Sequence, residues 1–540
     1  MIRRWIPWLG VLLLLGGMGR LHAQEVPKEL TLTLEEALQI ALDRNYTLQD
    51  SRLELEKSRL QIKEAYGQVM PRVDVSSSYQ RNLKTANPFA GSRAGSLFGS
   101  LGYLDWLAYN ERARTDNDPD TNPITLDEFR RRQQEGMQAA GITIGESDNP
   151  FAVDNQFRNT LSITQTLYSG TAMAAIKGAR KLRRMNEAAT RAQERELVHQ
   201  VRTAFYQALL AQEQLRIATL SVERTRQTLA ETRKRLIQGV ASKYDRLSAE
   251  VELANLETSR IQAENQVHLA LNNLKVLLGI PVEQPIRLRG ELKPPEGEGW
   301  LFTRVSVNDL VQEALKRRPD VEQAYYAIEV QRSQLGLTRA QFLPTLSAFL
   351  DASYIGNVPD NRVVVFSNPN DPFSFRQERN PFFSDAYWQP NVAVGVRLNW
   401  NIFNGFQTRS RAQQDLIELR RAELRYQQLV ERVKQEVDQA LRNLQNAYQR
   451  ILSQERNVER AALNYTFAVK RLKEGMAMPL EERQASQLLD QSRLNYYQAV
   501  YDYLVARSNF ERVTGLVLDD QGYLLTRREG MDTHETGVAR

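Results

Sequence analysis

Residues 201–239 read VRTAFYQALLAQEQLRIATLSVERTRQTLAETRKRLIQG. Val201, Ala208, Leu215, Val222, Leu229 and Leu236 recur every seventh position. Three residues after each comes a small one: Ala204, Ala211, Ala218, Thr225, Thr232 and finally Gly239. A large-then-small seam at heptad spacing is a coiled-coil pattern, in which the small residues let neighbouring helices approach closely. The pattern predicts one helix over 171–238, ~100 Å long at 1.5 Å per residue, a turn at Gly239 and a return to Leu278.

The same device appears 236 positions further on. Val437, Leu444, Ile451, Val458, Tyr465 and Leu472 form the large set; Ala440, Ala447, Ala461 and Ala468 form the small set, broken by Gln454. Gly475 answers Gly239 and Gly515 answers Gly279. The chain therefore reads as a tandem duplication of a very long helical hairpin. The first return helix carries two apolar rows, Leu247, Ala254 and Ile261 on one and Leu256, Ala263, Ala270 and Leu277 on the other. Two rows mean two helical neighbours, which suits a ring of helices better than a lone hairpin.

Composition narrows the function classes. The 540 residues contain no cysteine, which removes disulfides, thiol nucleophiles and Cys-based metal sites. His22, His199, His268 and His534 are scattered and give no metal-ligand spacing. No Gly-rich phosphate loop or nucleophile motif is present, so neither enzymatic activity nor a cofactor is expected. Arg3 and Arg4, the apolar run Leu9 to Leu15 and Leu21-His22-Ala23 read as a secretory signal over 1–23. Its removal deletes three arginines and no acid, so the formal charge falls from +6 to +3, a mild balance with no nucleic-acid signature.

Outside the hairpins the period switches. Thr33 with Glu36 makes a capping box, a helical stretch from Asn45 stops at Pro71, and Ser306 with Asp309 and Pro344 repeat the arrangement. After each proline apolar residues alternate: Val73, Val75 and Tyr79; Leu161, Ile163 and Leu167; Leu346, Ala348, Leu350 and Tyr354; Val392, Val394, Val396, Leu398 and Trp400. Period two predicts four strands, each near the ~9–11 residues that cross a bilayer. One reading is an antiparallel sheet packed on a core with one wet face. The favoured reading is a membrane barrel, because the chain is exported and no amphipathic helices lie nearby to cover such a sheet. Four strands alone cannot sit in lipid with unpaired edges, so copies must close the barrel: two give eight strands, three give twelve.

The expected organisation is a signal peptide at 1–23, a first repeat at 24–279, a linker at 280–305, a second repeat at 306–516 and a polar tail at 517–540. Strands fall at about 72–79, 159–168, 345–354 and 391–402, and the helical hairpins at 171–278 and 406–514. Long loops at 80–157, with one helix after Thr125, and at 356–390 join the strand pairs; the first has no role the sequence assigns.

This order, given twice, resembles the TolC-type outer-membrane efflux protein family. The matching residues are Leu34-Glu35-Glu36-Ala37 with its echo Val307-Asn308-Asp309-Leu310; Leu167-Tyr168-Ser169-Gly170 and Ile402-Phe403-Asn404-Gly405; Pro71 and Pro344; and Gly239 to Asp245. The resemblance covers roughly residues 30 to 516. It implies an α plus membrane β-barrel fold: a homotrimer closing one twelve-stranded barrel in the outer membrane, continued by a twelve-helix periplasmic α-barrel. It implies an exit duct for a tripartite efflux pump or a type I secretion system, joined by a periplasmic adaptor protein to an inner-membrane transporter. The alternative is a structural periplasmic coiled-coil spacer anchored in the outer membrane.

The resemblance makes the two turns, Gly239, Val240, Ala241 and Ser242 with Gly475, Met476 and Ala477, the adaptor-docking surface. It makes Asp245, Glu481 and Glu482 the periplasmic tip and gate. Where the family often carries Asp-x-x-Asp in the second repeat, this chain has Glu481 and Gln484. Carboxylates there also suit a helix N-terminus, with Ser242 capping against Asp245 and Pro479 as a first helical residue.

Overall fold

The structure is a computed structural model that describes residues 29–84, 93–118, 121–142, 153–293, 306–368, 371–518 and 524–525. The expected signal peptide, most of the expected polar tail and the Pro-rich end of the expected linker lie outside them. In chain order the first elements are β1 (Leu30–Leu32), α1 (Leu34–Arg44), α2 (Tyr46–Gly67), β2 (Arg72–Arg81), α3 (Arg93–Thr115) and α4 (Leu126–Ala139). Then come β3 (Asn155–Ser169), α5 (Gly170–Ile237), α6 (Lys243–Leu278), β4 (Ile286–Leu288), α7 (Val307–Arg317) and α8 (Pro319–Ala340). The remainder is β5 (Thr345–Val358), β6 (Val363–Asn368), β7 (Asp371–Arg379), β8 (Trp388–Asn399), α9 (Gln407–Lys473), α10 (Pro479–Thr514), β9 (Val517–Leu518) and β10 (Leu524–Leu525). Their described residues fall into two compact units, a helical one within 29–62, 177–335 and 413–525 and a sheet unit within 63–176 and 336–412.

In the helical unit the heptad seam is the packed face. Val201, Ala208, Ala211, Val222, Leu229 and Thr232 are buried, and the other large and small positions from Ala204 to Leu236 are half-buried. Val437, Ala440, Leu444, Ala447, Ile451, Ala461 and Ala468 are buried on α9. A periodicity of seven thus becomes one continuous contact stripe, because each small residue admits a neighbour's side chain. The largest part of the core lies where Leu32, Ala37 and Ala41 meet Phe205, Leu274, Leu278, Leu444, Tyr503 and Phe510.

α5 and α10 run antiparallel along a ladder of polar contacts. His199 Nδ1 lies 3.0 Å from Ser508 Oγ, Arg202 pairs with Glu511, and Arg216 donates to the Tyr497 hydroxyl at 3.1 Å. Ser221 and Arg224 both bind Asp490.

Two expectations change here. The stretch 280–305 is not a plain linker: Ile286–Leu288 pairs in parallel with Leu30–Leu32, because Ile286 and Leu288 have a buried face to fill beside Leu32. Ser306 precedes α7 but makes no side-chain cap bond, whereas Thr33 and Glu36 form the full capping box on α1.

The sheet unit holds β2, β3, β5 and β8 in that order, all antiparallel. Its register carries the apolar alternation across every strand: Val73 faces Ile163, Ile163 faces Leu350 and Leu350 faces Val394. The opposite face is polar, with Asp74 beside Ser162, Ser162 bonded to Asp351, and Ser76 beside Thr160. Among the described residues, β2 and β8 each have a strand on one side only.

Aromatic residues end the apolar face at both limits. Tyr79, Phe157, Tyr354 and Trp388 stack at one end, and at the other Trp400 donates to the Phe342 carbonyl at 3.0 Å. From Trp388 to Trp400 the strand covers ~40 Å, or ~30 Å of height at the tilt usual for a membrane barrel, whose aromatic girdles flank an apolar band about 25 Å tall.

β8 stops at Asn399, short of the expected 402, and Gly405 and Phe406 then both take left-handed φ, +64° and +62°, before α9 begins. The loops hold more structure than the expected single helix. α3 and α4 are both present, and the β6–β7 hairpin packs on α4 through Phe373 against Phe129, with Tyr109 of α3 touching both rings. A Cβ on Gly136 would lie 1.9 Å from the Phe373 carbonyl oxygen, so only glycine lets helix and hairpin meet there. No described helix is long and apolar enough to cross a membrane.

Candidate functional site

The two hairpin turns are built alike. At the first, the Val240 N–H donates to the Arg235 carbonyl at 3.0 Å and Gly239 holds φ +75°. At the second, the Met476 N–H donates to the Arg471 carbonyl at 2.8 Å and Gly475 holds φ +77°. These are left-handed C-terminal caps, and nothing lies within 4 Å of either missing Cβ. Glycine is therefore needed for backbone conformation rather than for space.

The return helices start differently. Ser242 Oγ accepts from the Asp245 N–H at 3.0 Å while the Asp245 carboxylate accepts from the Ser242 N–H at 3.0 Å, a complete capping box. The Ser242 hydroxyl and N–H hold the Asp245 carboxyl below its usual range, and Arg483, reaching from the other turn, adds to this. On α10 Pro479 takes the first position, the Met478 N–H donates to Glu481 at 3.4 Å, and Arg471 pairs with Glu481 at 3.3 Å. Both expected tip carboxylates thus cap helices.

Apolar side chains crown the turns. Ile237, Val240, Tyr244, Met476, Met478 and Leu480 are all exposed, Ile237 at 87%. Ala241 and Ala477 are half-buried beneath them.

Glu482 does not stand with Asp245 and Glu481. It is 7% exposed and turned inward, where Arg224 of α5 and Tyr465 of α9 meet it. Its position one residue past Glu481 rotates it by about 100°, a little more than a quarter turn, and so onto the packed face. The Arg224 guanidinium lies 5.8 Å over the Tyr465 ring and is bonded to Asp490. One cation therefore serves two carboxylates. Burial pushes the Glu482 carboxyl up, against the pull of Arg224, the Tyr465 hydroxyl and Arg483, while Glu231 adds to the rise.

Sequence reasoning missed Arg224, Tyr465 and Asp490. Comparing the two repeats position by position points to Tyr465 and Asp490, which answer Leu229 and Ala254, as Glu482 answers Arg246; it does not point to Arg224, which Arg460 matches. Apart from Arg224, the polar cluster sits where the duplicated halves differ.

A sequence profile of the outer membrane efflux protein family matches residues 130–280 and 310–516, which include both hairpins and strands β3, β5 and β8. The chain belongs to the outer membrane efflux protein family. Such a protein resides in the outer membrane and serves as an exit duct for export. This one is 22% identical over 370 residues to the alkaline protease secretion protein AprF of Pseudomonas aeruginosa, covering 68% of this chain and 71% of that protein. It is 25% identical to protein CyaE of Bordetella pertussis over 53% of this chain and 55% of that one. The Campylobacter jejuni CmeC outer membrane channel shares the fold at a TM-score of 0.65 and 15% identity, covering 89% of this chain and 85% of that one. As an outer membrane efflux protein, the chain has its apolar sheet face and aromatic ends accounted for by lipid.

Proposed function

We propose that three copies of this chain close a twelve-stranded barrel, continued on the periplasmic side by twelve helices, and so form the exit duct of a tripartite pump or type I secretion system. The observation that carries this reading is the four-stranded sheet itself. β2 and β8 are each paired on one side only, and in lipid their remaining backbone groups have no partner except another copy. The helical unit makes the same demand. Tyr46, Leu53 and Leu60 on α2, at heptad spacing, and Ile417 and Leu424 on α9 are exposed, as are Leu247 and Ile261 of the first apolar row on α6. Stripes of this kind pack against another helix.

In this assembly the repeats 24–279 and 306–516 are the units of duplication. The turns at Gly239 and Gly475, with their exposed apolar crown, receive the helical hairpin of a periplasmic adaptor, and an inner-membrane transporter supplies the energy. Relatives are named for protease secretion and for antibiotic efflux, and one duct serves either kind of cargo. Threefold symmetry gathers Asp245 and Glu481 into a set of six carboxylates, which favours cations at the narrow end.

The test is conductance of the purified protein in a planar bilayer, with its mass in detergent. A stable trimer with steady, cation-selective current is expected. A stable oligomer that passes no ions would instead identify a spacer.

A further inference from the structure

The two outer strands of the sheet, β2 and β8, carry complementary charge on its polar face. The register aligns Arg72, Thr164, Phe349 and Gly395 at one level of that face, and Asp74, Ser162, Asp351 and Ala393 at the next. Arg397, two residues beyond Gly395, stands on the same face of β8, and both it and Asp74 of β2 are exposed.

Among the described residues Arg397 makes no ion pair; its guanidinium lies 4.8 Å over the Phe349 ring. That ring fills the space Gly395 leaves on β8, where a Cβ would come within 2.9 Å of Phe349 Cζ. Stacking occupies the flat face of the guanidinium and leaves the N–H donors around its rim unused. Asp74 is held by Arg72, two residues away on its own strand, at 2.8 Å. A carboxylate has room for a second such donor.

Closing a ring of copies sets β8 of one subunit antiparallel to β2 of its partner. Pairing all ten residues of β2 with the twelve of β8 allows three alignments, and a pleat that keeps polar side chains opposite polar ones leaves two. In one of them Arg397 faces Arg72 of the partner subunit, and like charges directly opposite are destabilising. In the other Arg397 faces Asp74 of the partner subunit, while Val396 and Leu398 face the partner's Val75 and the partner's Val73 on the apolar side. Gly395 then meets Ser76 of the partner subunit, four residues on from the Arg72 with which it shares a level in its own sheet. Repeated around three copies, that shift tilts the strands by about 35°, as barrels require, whereas the like-charge alignment gives only about 19°.

We infer that Arg397 of each copy binds Asp74 of the partner subunit across the closing seam, and that this pair fixes the register in which copies join. The inference rests on the twelve-stranded barrel proposed above. An exposed ion pair adds little stability. Its effect is on choice, because slipping back by two residues exchanges attraction for the repulsion of Arg397 and Arg72.

The chain has no native cysteine, so an introduced pair reports without background. The double variant Asp74→Cys, Arg397→Cys, purified in detergent and mildly oxidised, should run after boiling as covalent dimer and trimer, and as monomer once reduced. Arg72→Cys, Arg397→Cys and Ser76→Cys, Arg397→Cys should stay monomeric, since diagonal cross-strand neighbours lie ~7–8 Å apart, too far for a disulfide. Charge reversal reads the pair itself. Arg397→Asp should lower the temperature at which the trimer dissociates, and Asp74→Arg with Arg397→Asp should raise it above that of either single variant. No cross-link in the first variant, cross-linking in a slipped one, or a swap no more stable than the single variants overturns the pair while leaving the trimer. Absence of any trimer by mass in detergent would instead overturn the barrel and the pair together.

Discussion

Glu482 shows how a single side chain sets a pH dependence at the tip. A carboxyl whose folded pKa is raised holds its proton more tightly in the folded state, so stability is highest below the ordinary carboxylate range. It falls as pH rises from the ordinary glutamate value of about 4.5 through the raised one. Hydrogen exchange of the first turns of α10 should therefore speed up across that window, and Glu482→Gln should remove the step and slow exchange at pH 7. An unchanged profile in the variant would assign the step to another group. Asp245 has the opposite sign: its lowered pKa contributes stability above the ordinary range that is lost in acid. Asp245→Asn with Glu481→Gln tests the second role proposed for these caps. Reduced cation selectivity and weaker block by multivalent cations are expected in a bilayer, and selectivity equal to the parent would leave them as caps alone. At Gly239 and Gly475 an L-residue pays ~1–2 kcal/mol for left-handed backbone without meeting any atom. Gly239→Leu or Gly475→Leu should thus keep a folded oligomer in the membrane and lose efflux; normal efflux would remove docking from these turns.

Among the elements, the seam of α5 offers the sharpest contrast. Ala211 is fully buried and Ala230, on the same helix, is exposed. Ala211→Trp should over-pack the interface and cost on the order of 1–3 kcal/mol, read as a lower melting temperature, whereas Ala230→Trp should melt with the parent. The long hairpin helices and the four strands were legible in the sequence because each carries a period, seven or two, over many residues, which a single break such as Gln454 does not hide. The β1–β4 pair was not, since three residues hold no period and their partners lie more than 250 positions apart. The β6–β7 hairpin was hidden by Pro and Asn, which read as loop although backbone pairing tolerates them at its edges. At the tip, the turn glycines and Asp245 followed from local rules, while the cluster of Arg224, Tyr465, Glu482 and Asp490 depends on which faces of three helices meet. That is tertiary information, which heptad counting within one helix does not contain.

For the whole molecule the decisive quantity is the number of copies. Mass measurement in detergent should give a trimer; a monomer would remove the barrel, and a dimer would remove its twelve strands. The lipid-facing side of the sheet can be tested in the same assembly. Val394 lies mid-strand on the apolar face, and Val394→Arg should cost ~2–4 kcal/mol near the bilayer midplane, seen as loss of folded protein from membranes. A neutral outcome would put that face in water. The unpaired edges of β2 and β8 also have a genetic consequence. One faulty edge breaks a closed ring, however sound the other subunits are. In a cell making parental and edge-defective chains equally, random assembly leaves roughly one ring in eight free of the defect. Edge mutations should therefore be dominant, and a plasmid carrying one should sensitise a strain whose own gene is intact.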